Sequence, residues 1–104
     1  MQMDCGSFKI KKLKNSLKYY LPRVEGYLEV IKQLSAEFQG MSLIEFDGYF
    51  ENKIEPAKYV MAEVHLDILD ENKIIEQANC IRTQLNQKSL AIQINNELIL
   101  VDGN

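Results

Sequence analysis

Apolar residues recur between Ile10 and Phe38 at spacings that alternate between three and four. The positions are Ile10, Leu13, Leu17, Tyr20, Val24, Tyr27, Ile31, Leu34 and Phe38. This is the spacing of the a and d positions of a heptad repeat, and it places one apolar seam along a helix. The pattern predicts a long N-terminal helical arm of the coiled-coil type. Because so long a seam exceeds the apolar patch that monomers usually expose, we expect a second copy of the chain to cover it.

Two residues interrupt this helical pattern. Pro22 lacks an N–H group, so inside a helix it forces a kink or costs about 3 kcal/mol. Gly26 lowers the helix propensity further. The arm is therefore expected to be kinked at Pro22, or split there with Pro22 as the first residue of a second helix.

After Gly40 the pattern changes to that of short strands with one helix. Strands are predicted over 41–47, 58–69, 89–94 and 97–101, and Asn95-Asn96 favours a two-residue hairpin between the last two. Asp70 is predicted to cap a helix that buries one stripe of apolar residues. The stripe contains Ile74, Ala78, Ile81 and Leu85. The segment 48–56 is predicted as a connection in which Tyr49 and Phe50 either pack against the sheet or contact a partner.

Together these elements predict an α+β fold in a single domain, 1–104. A helical arm, 1–39, precedes a body, 40–104, that holds a four-stranded, mostly antiparallel sheet with one helix. The element order is α-ββ-α-ββ.

Charged residues are distributed unevenly along the 104-residue chain, although the net charge is only −3. Residues 1–38 carry seven basic and four acidic side chains, and residues 39–104 carry five basic and eleven acidic ones. On a helix, Lys11, Lys14 and Lys18 share one side and could contact phosphate groups. They could equally form the solvated face of the arm. The acidic body could instead meet a basic protein surface.

Reactive side chains form few patterns. The single histidine lies in Glu63-Val64-His65-Leu66-Asp67, where alternation places Glu63, His65 and Asp67 on one strand face. An extended strand does not bring such residues together around a metal by itself. With two cysteines and no phosphate-binding or nucleophile motif, we expect no catalytic residue, no metal and no cofactor.

The sequence therefore predicts a non-enzymatic protein that self-associates, as a dimer, through the helical seam and has an interaction or regulatory role. The first alternative is nucleic-acid binding by the lysines, and the second is an acidic inhibitor of a nucleic-acid-binding protein. No apolar run is long enough to span a membrane and no signal peptide is recognisable, so we expect a cytoplasmic location.

Overall fold

The computed structural model describes residues 4–104, except for the side chains of residues 49, 50 and 55–57. These residues form five strands and two helices. In chain order they are β1 (Asn15–Pro22), α1 (Tyr27–Glu37), β2 (Ser42–Phe50), β3 (Lys53–Leu66), α2 (Glu71–Gln84), β4 (Ser89–Ile94) and β5 (Glu97–Asp102).

The strands form one antiparallel sheet in the order β2-β3-β1-β4-β5. The first six elements follow the β-α-β-β-α-β order of the ferredoxin-like fold, and β5 adds a strand at the edge by a hairpin with β4. The sheet therefore has five strands and not four, and the fold contains two helices.

The predicted helical arm is wrong, because the first part of its seam is a strand. In β1, Leu17, Tyr19 and Leu21 are fully buried, whereas the residues between them are half-buried. β1 lies at the centre of the sheet, so β3 and β4 satisfy its backbone hydrogen bonds on both sides. Long-range pairing of this kind overrides a local helical spacing. Pro22 ends the strand, where its missing N–H interrupts no ladder in the sheet interior.

The second part of the predicted arm is a separate and shorter helix. α1 begins after Gly26, which has a φ of 91°. This left-handed conformation is accessible to glycine without steric cost, and it turns the chain back across the sheet. Val30 and Leu34 are the residues of α1 that are buried in the core.

The predicted connection 48–56 is also wrong, since β2 and β3 continue through it as a hairpin. Its turn is formed by Glu51 and Asn52, whose φ values are 50° and 61°. Two consecutive positive φ angles are the signature of a type I′ turn. Tyr49 and Phe50 lie in β2, but their side chains lie outside the described residues, so their proposed packing or partner contact stays a prediction.

The second half of the chain confirms several local predictions. The Asp70 side chain accepts a hydrogen bond from the N–H of Lys73 and so caps α2. The predicted stripe of α2 is buried, and β4 and β5 form a hairpin around a turn in which Asn95 has a φ of 55°. No helix within the described residues is long and apolar enough to cross a membrane.

Both helices cover one face of the sheet. Alternate residues of β1, β3 and β4 form a single core with the buried stripes of α1 and α2. Because strand side chains alternate between faces, the other face of the sheet carries the remaining residues of the same strands. In the described residues no helix covers this second face, which we call the open face.

Candidate functional site

The open face carries apolar side chains across the full width of the sheet. The pairing register places Ile44, Met61, Tyr20, Ala91 and Leu100 side by side, one from each strand. Leu98 and Leu100 are each 60% exposed. Apolar residues concentrated on an uncovered sheet face are typical of a binding surface.

Three aromatic rings form the centre of this surface. Tyr20 meets Phe46 edge to face with ring centroids 5.9 Å apart, and Phe46 stacks on Tyr59 at 5.5 Å. The strand order explains the cluster, since β1, β3 and β2 are neighbours and Phe46 pairs with Tyr59. Beside Phe46 the register of the β2–β3 ladder shifts, an irregularity of the kind that redirects side chains next to functional sites.

Specific contacts fix the orientation of two of these rings. The Tyr20 hydroxyl donates a hydrogen bond to Oε1 of Gln93 at 3.0 Å, and the Gln93 amide in turn donates to the backbone carbonyl of Asn95. The ring of Tyr59 lies against the backbone of Gly48, where a Cβ atom would overlap it. The aromatic cluster is therefore held by β4 on one side and by β2 on the other.

The aromatic residues line one wall of an open cleft of about 620 Å³. Leu98 and Leu100 of β5 form the opposite wall, and Ser89 and Gln93 supply polar groups. Among the described residues that line the cleft, none is Asp, Glu, His, Lys or Arg. A volume of this size accommodates a cofactor-sized molecule, and an aromatic wall with few polar groups is the usual lining of such a site.

A charged pair lies on the same face, next to the aromatic cluster. Nζ of Lys18 is 3.7 Å from Oε2 of Glu63, and both side chains are about three-quarters buried. Lys18 pairs with Glu63, Tyr20 with Met61 and Pro22 with Tyr59, so the ion pair lies one row of side chains from Tyr20 and two rows from Tyr59. His65 follows on β3, with Nε2 3.8 Å from Oε1 of Glu63.

A second cavity, of about 580 Å³, lies where α1 ends and β2 begins. Lys11 and Leu13 line it together with Glu63, His65 and Asp67. The three polar residues predicted to share a strand face are thus near one another. In the described part of the chain, no group of three or more His, Cys, Asp and Glu side chains has a geometry that could hold a metal ion.

The structure separates the residues that were predicted to form the self-association seam. Leu17 faces the core and Tyr20 faces the open side, whereas Ile10 and Leu13 belong to an exposed segment before β1. Val24 is exposed in the β1–α1 connection, and Leu34 of α1 is buried in the core. The remaining members, Tyr27, Ile31 and Phe38, are partly buried against that core.

The lysines predicted to contact phosphate also do not share a helical face. Lys18 is in β1 on the open face, and Lys11 and Lys14 lie in the exposed segment. Sequence reasoning missed the aromatic cluster, because its members come from three strands. One signal was available: alternation along β3 places Tyr59, Met61 and Glu63 on the face opposite the core.

No protein-family model matches this chain, and no curated protein matches it. Among solved structures, the fold is similar to that of a phage SAM lyase in its apo state, with a TM-score of 0.62 and 11% sequence identity. The match covers 93% of this chain and 98% of the lyase chain.

At 11% identity this likeness establishes the fold. It also overturns the expectation that the chain is not an enzyme, because the protein that shares the fold along nearly its whole length is an enzyme. That expectation rested on the lack of a recognisable catalytic motif, and a fold can carry a reaction without one.

Proposed function

We propose that this chain is an enzyme that binds S-adenosylmethionine (SAM) on the open face and cleaves it as a lyase. The observation that carries the proposal is the fold shared with a phage SAM lyase over 93% of the chain. A shared fold supports function only by analogy, because one fold hosts many activities. The chemistry of the open face supplies independent support in three steps.

The first step concerns the adenosine end of the substrate. Aromatic side chains bind nucleobases by stacking, and each stacked base contributes about 1–3 kcal/mol. Tyr20, Phe46 and Tyr59 present such rings at the wall of the cleft. The amide of Gln93 and the hydroxyl of Ser89 lie beside them and can bond the polar edges of the base or the ribose.

The second step concerns the sulfonium group, which is a fixed cation. The face of an aromatic ring attracts such a cation, and the attraction increases when water is excluded. When the carbon–sulfur bond breaks, the bonding electrons move to sulfur and the product is a neutral thioether. Because the positive charge disappears during this reaction, an apolar cleft stabilises the transition state relative to the charged substrate.

The third step concerns the amino-acid end, which needs one cationic and one anionic partner. Lys18 and Glu63 supply both charges one row from Tyr20 and two rows from Tyr59, about 7 Å and about 14 Å along the strands. Lys18 would bind the carboxylate and Glu63 the ammonium group, with charge-assisted hydrogen bonds at each. The length of SAM would then run along β1 and β3, from Tyr59 towards Glu63.

The proposed reaction has a route in which the protein transfers no proton. The carbon that loses sulfur must form a new bond, and the carboxylate of the same molecule can form it by closing a ring. This step breaks one C–S bond and forms one C–O bond, so no base is required. The protein would contribute by holding the chain of the substrate folded and by excluding water.

The direct test is to incubate the protein with SAM and to separate the products by chromatography with mass detection. Because SAM also decomposes slowly without protein, the control is the same buffer with heat-denatured protein. The proposal requires a SAM-dependent thioether product at a rate above this control. SAM loss equal to the control, together with no change in melting temperature on adding SAM, would refute it.

Variants then locate the site. Tyr59→Leu is expected to raise KM about tenfold or more, since a stacked base is worth about 1–3 kcal/mol. Glu63→Gln should also raise KM by removing the partner of the ammonium group. The control is Leu28→Ala, which changes an exposed residue of α1 on the opposite side of the sheet. Equal activity in all three variants would place the reaction away from the open face.

A second candidate function, single-stranded nucleic-acid binding, is favoured by one observation. In the RNA-recognition motif, a four-stranded antiparallel sheet binds RNA bases on aromatic residues of its surface. Tyr20 and Tyr59 occupy comparable central strands of the open face here. Binding of short oligonucleotides that Tyr59→Leu abolishes and that weakens steeply with salt would support this function over SAM cleavage.

A further inference from the structure

The segment before β1 is basic and has no strand partner within the described residues. Residues 4–14, which we call the N-terminal extension, have no regular secondary structure, and Phe8 and Ile10 are 82% and 74% exposed. Residues 7–14 make no backbone hydrogen bond within the part of the chain that the structure describes. Four of these eight residues are lysines, and Phe8, Ile10 and Leu13 lie among them.

The opposite edge of the sheet has complementary properties. Among the described strands β5 pairs with β4 on one side only, so the backbone groups on its outer side are available to another strand. Its sequence, Glu-Leu-Ile-Leu-Val-Asp, contains neither proline nor lysine, the residues that commonly protect an edge strand. An edge of this kind is a template for strand addition.

The charges of the two segments match in spacing as well as in sign. Lys9 and Lys14 are five residues apart, as are Glu97 and Asp102. Pairing the two six-residue segments in register places a lysine opposite an acid at each end, whether the strands run parallel or antiparallel. It also places Ile10 and Leu13 opposite apolar residues of β5, whereas Lys11 and Lys12 face Ile99 and Leu100. Opposite charges and apolar pairs across neighbouring strands both stabilise a sheet.

The course of the chain shows which copy supplies the extension. Lys11 and Leu13 line the cavity formed with Met41, Glu63 and neighbouring residues at the β2–β3 side of the sheet. β5 lies at the other edge, beyond β4. The extension therefore leads away from the β5 strand of its own chain and towards solvent.

Direct pairing of two β5 strands is disfavoured by charge. In a two-fold antiparallel arrangement in full register, Glu97 of each strand would face Asp102 of the other. Like charges directly opposite each other destabilise a sheet. The basic extension is the occupant that neutralises both acids.

We infer that the N-terminal extension of one copy of this chain adds as a sixth strand to β5 of another copy, so that the protein assembles by exchange of extensions. The assembly goes beyond the proposed reaction and does not depend on it. It also reaches the candidate site, because Leu98 and Leu100 of β5 form a wall of the cleft.

The test measures the solution mass of the full chain by light scattering or sedimentation as a function of concentration. The wild type is expected to form a closed oligomer. The double variant Lys9→Glu/Lys14→Glu and the double variant Glu97→Lys/Asp102→Lys should each weaken assembly by about tenfold or more. Combining all four changes restores opposite charges and should restore the oligomer.

The matched control for the lysine variant is Lys32→Glu/Lys73→Glu, which reverses two exposed lysines on the helices and changes the net charge by the same amount as Lys9→Glu/Lys14→Glu. This control should assemble like the wild type, and circular dichroism should confirm that every variant is folded. A wild type that remains one chain at the highest soluble concentration would overturn the inference. A variant with all four charge reversals that assembles no better than the double variants would also overturn the inference.

Discussion

At the scale of single residues, Gly48 determines the shape of the candidate site. A Cβ atom at this position would overlap the Tyr59 ring. Gly48→Ala is therefore expected to displace that ring from Phe46 and to cost about 1–3 kcal/mol of stability, as overpacking does. The denaturant midpoint measures the stability, and near-ultraviolet circular dichroism reports the tyrosine environment.

Gly40→Ala is the control for this change, because a Cβ atom at Gly40 would meet nothing within 4 Å. It should leave both signals near those of the wild type. If Gly48→Ala behaves in the same way as the control, the Tyr59 ring does not rest on this backbone and the cleft wall is differently built.

Tyr19 is a second residue with a measurable consequence. Its ring is fully buried, and its hydroxyl donates a hydrogen bond to Oε1 of Gln77, whose amide donates to Glu37. Burial, and secondarily the Glu37 carboxylate, raise the pKa of the Tyr19 phenol. The unfolded chain therefore releases this proton at a lower pH than the folded protein does.

The sign of the resulting pH dependence follows from that difference. The stability that the raised pKa of Tyr19 contributes to the folded protein is fully present below the unfolded pKa of about 10. It is lost as the pH rises from there towards the folded pKa, with a slope of up to about 1.4 kcal/mol per pH unit. Tyr19→Phe should lose about 1 kcal/mol at neutral pH with its hydrogen bond and should lack this part of the alkaline slope. The free energy of unfolding of the wild type and of Tyr19→Phe can be measured by chemical denaturation from about pH 9 to 11. Identical slopes of this free energy against pH in the two proteins would contradict the assignment.

Individual residues show where sequence reasoning succeeded. The Asp70 cap and the apolar stripe of α2 are predicted because both depend on neighbours within four positions along one helix. The stacking of Tyr59 on Phe46 could not be predicted in the same way, because it depends on the pairing of β2 with β3.

At the scale of elements, Gly26 distinguishes the observed fold from a continuous helix. In a helix interior, Gly26→Ala would stabilise the protein by up to about 1 kcal/mol. In the structure Gly26 has a φ of 91°, so alanine there is strained and should destabilise by about 1–2 kcal/mol. A Cβ atom would make only ordinary contacts, so the effect comes from the backbone.

The denaturant midpoint of Gly26→Ala, compared with that of Gly40→Ala, therefore tests the element boundary by its sign. A more stable Gly26→Ala protein would contradict the break between β1 and α1.

The helical interpretation of 10–38 failed because the same residues satisfy two periods at once. Leu17, Tyr19 and Leu21 alternate as a strand, whereas Leu17, Tyr20 and Val24 fit a heptad. Local spacing does not choose between the two, and the pairing of β1 with β3 and β4 does.

At the scale of the whole molecule, the position of β1 at the centre of the sheet predicts an order of local stability. Amides in the core of a sheet exchange with solvent only on global opening, whereas edges and segments without hydrogen bonds exchange sooner. Hydrogen exchange followed by mass spectrometry should therefore show the slowest exchange in β1 and faster exchange in the edge strand β2. Peptides from 10–38 that exchange as one uniform block would instead indicate a continuous element.

The same measurement connects the fold to the assembly. In the dissociated Glu97→Lys/Asp102→Lys protein, residues 7–14 have no backbone partner in the part of the chain that the structure describes and should exchange within the shortest labelling time. In the wild-type oligomer, pairing with β5 of another copy should protect alternate amides of this segment. Because β5 gains its second neighbour in the same step, its outward amides should become protected together with the extension. Protection of β5 while residues 7–14 remain unprotected would mean that a different surface occupies the edge.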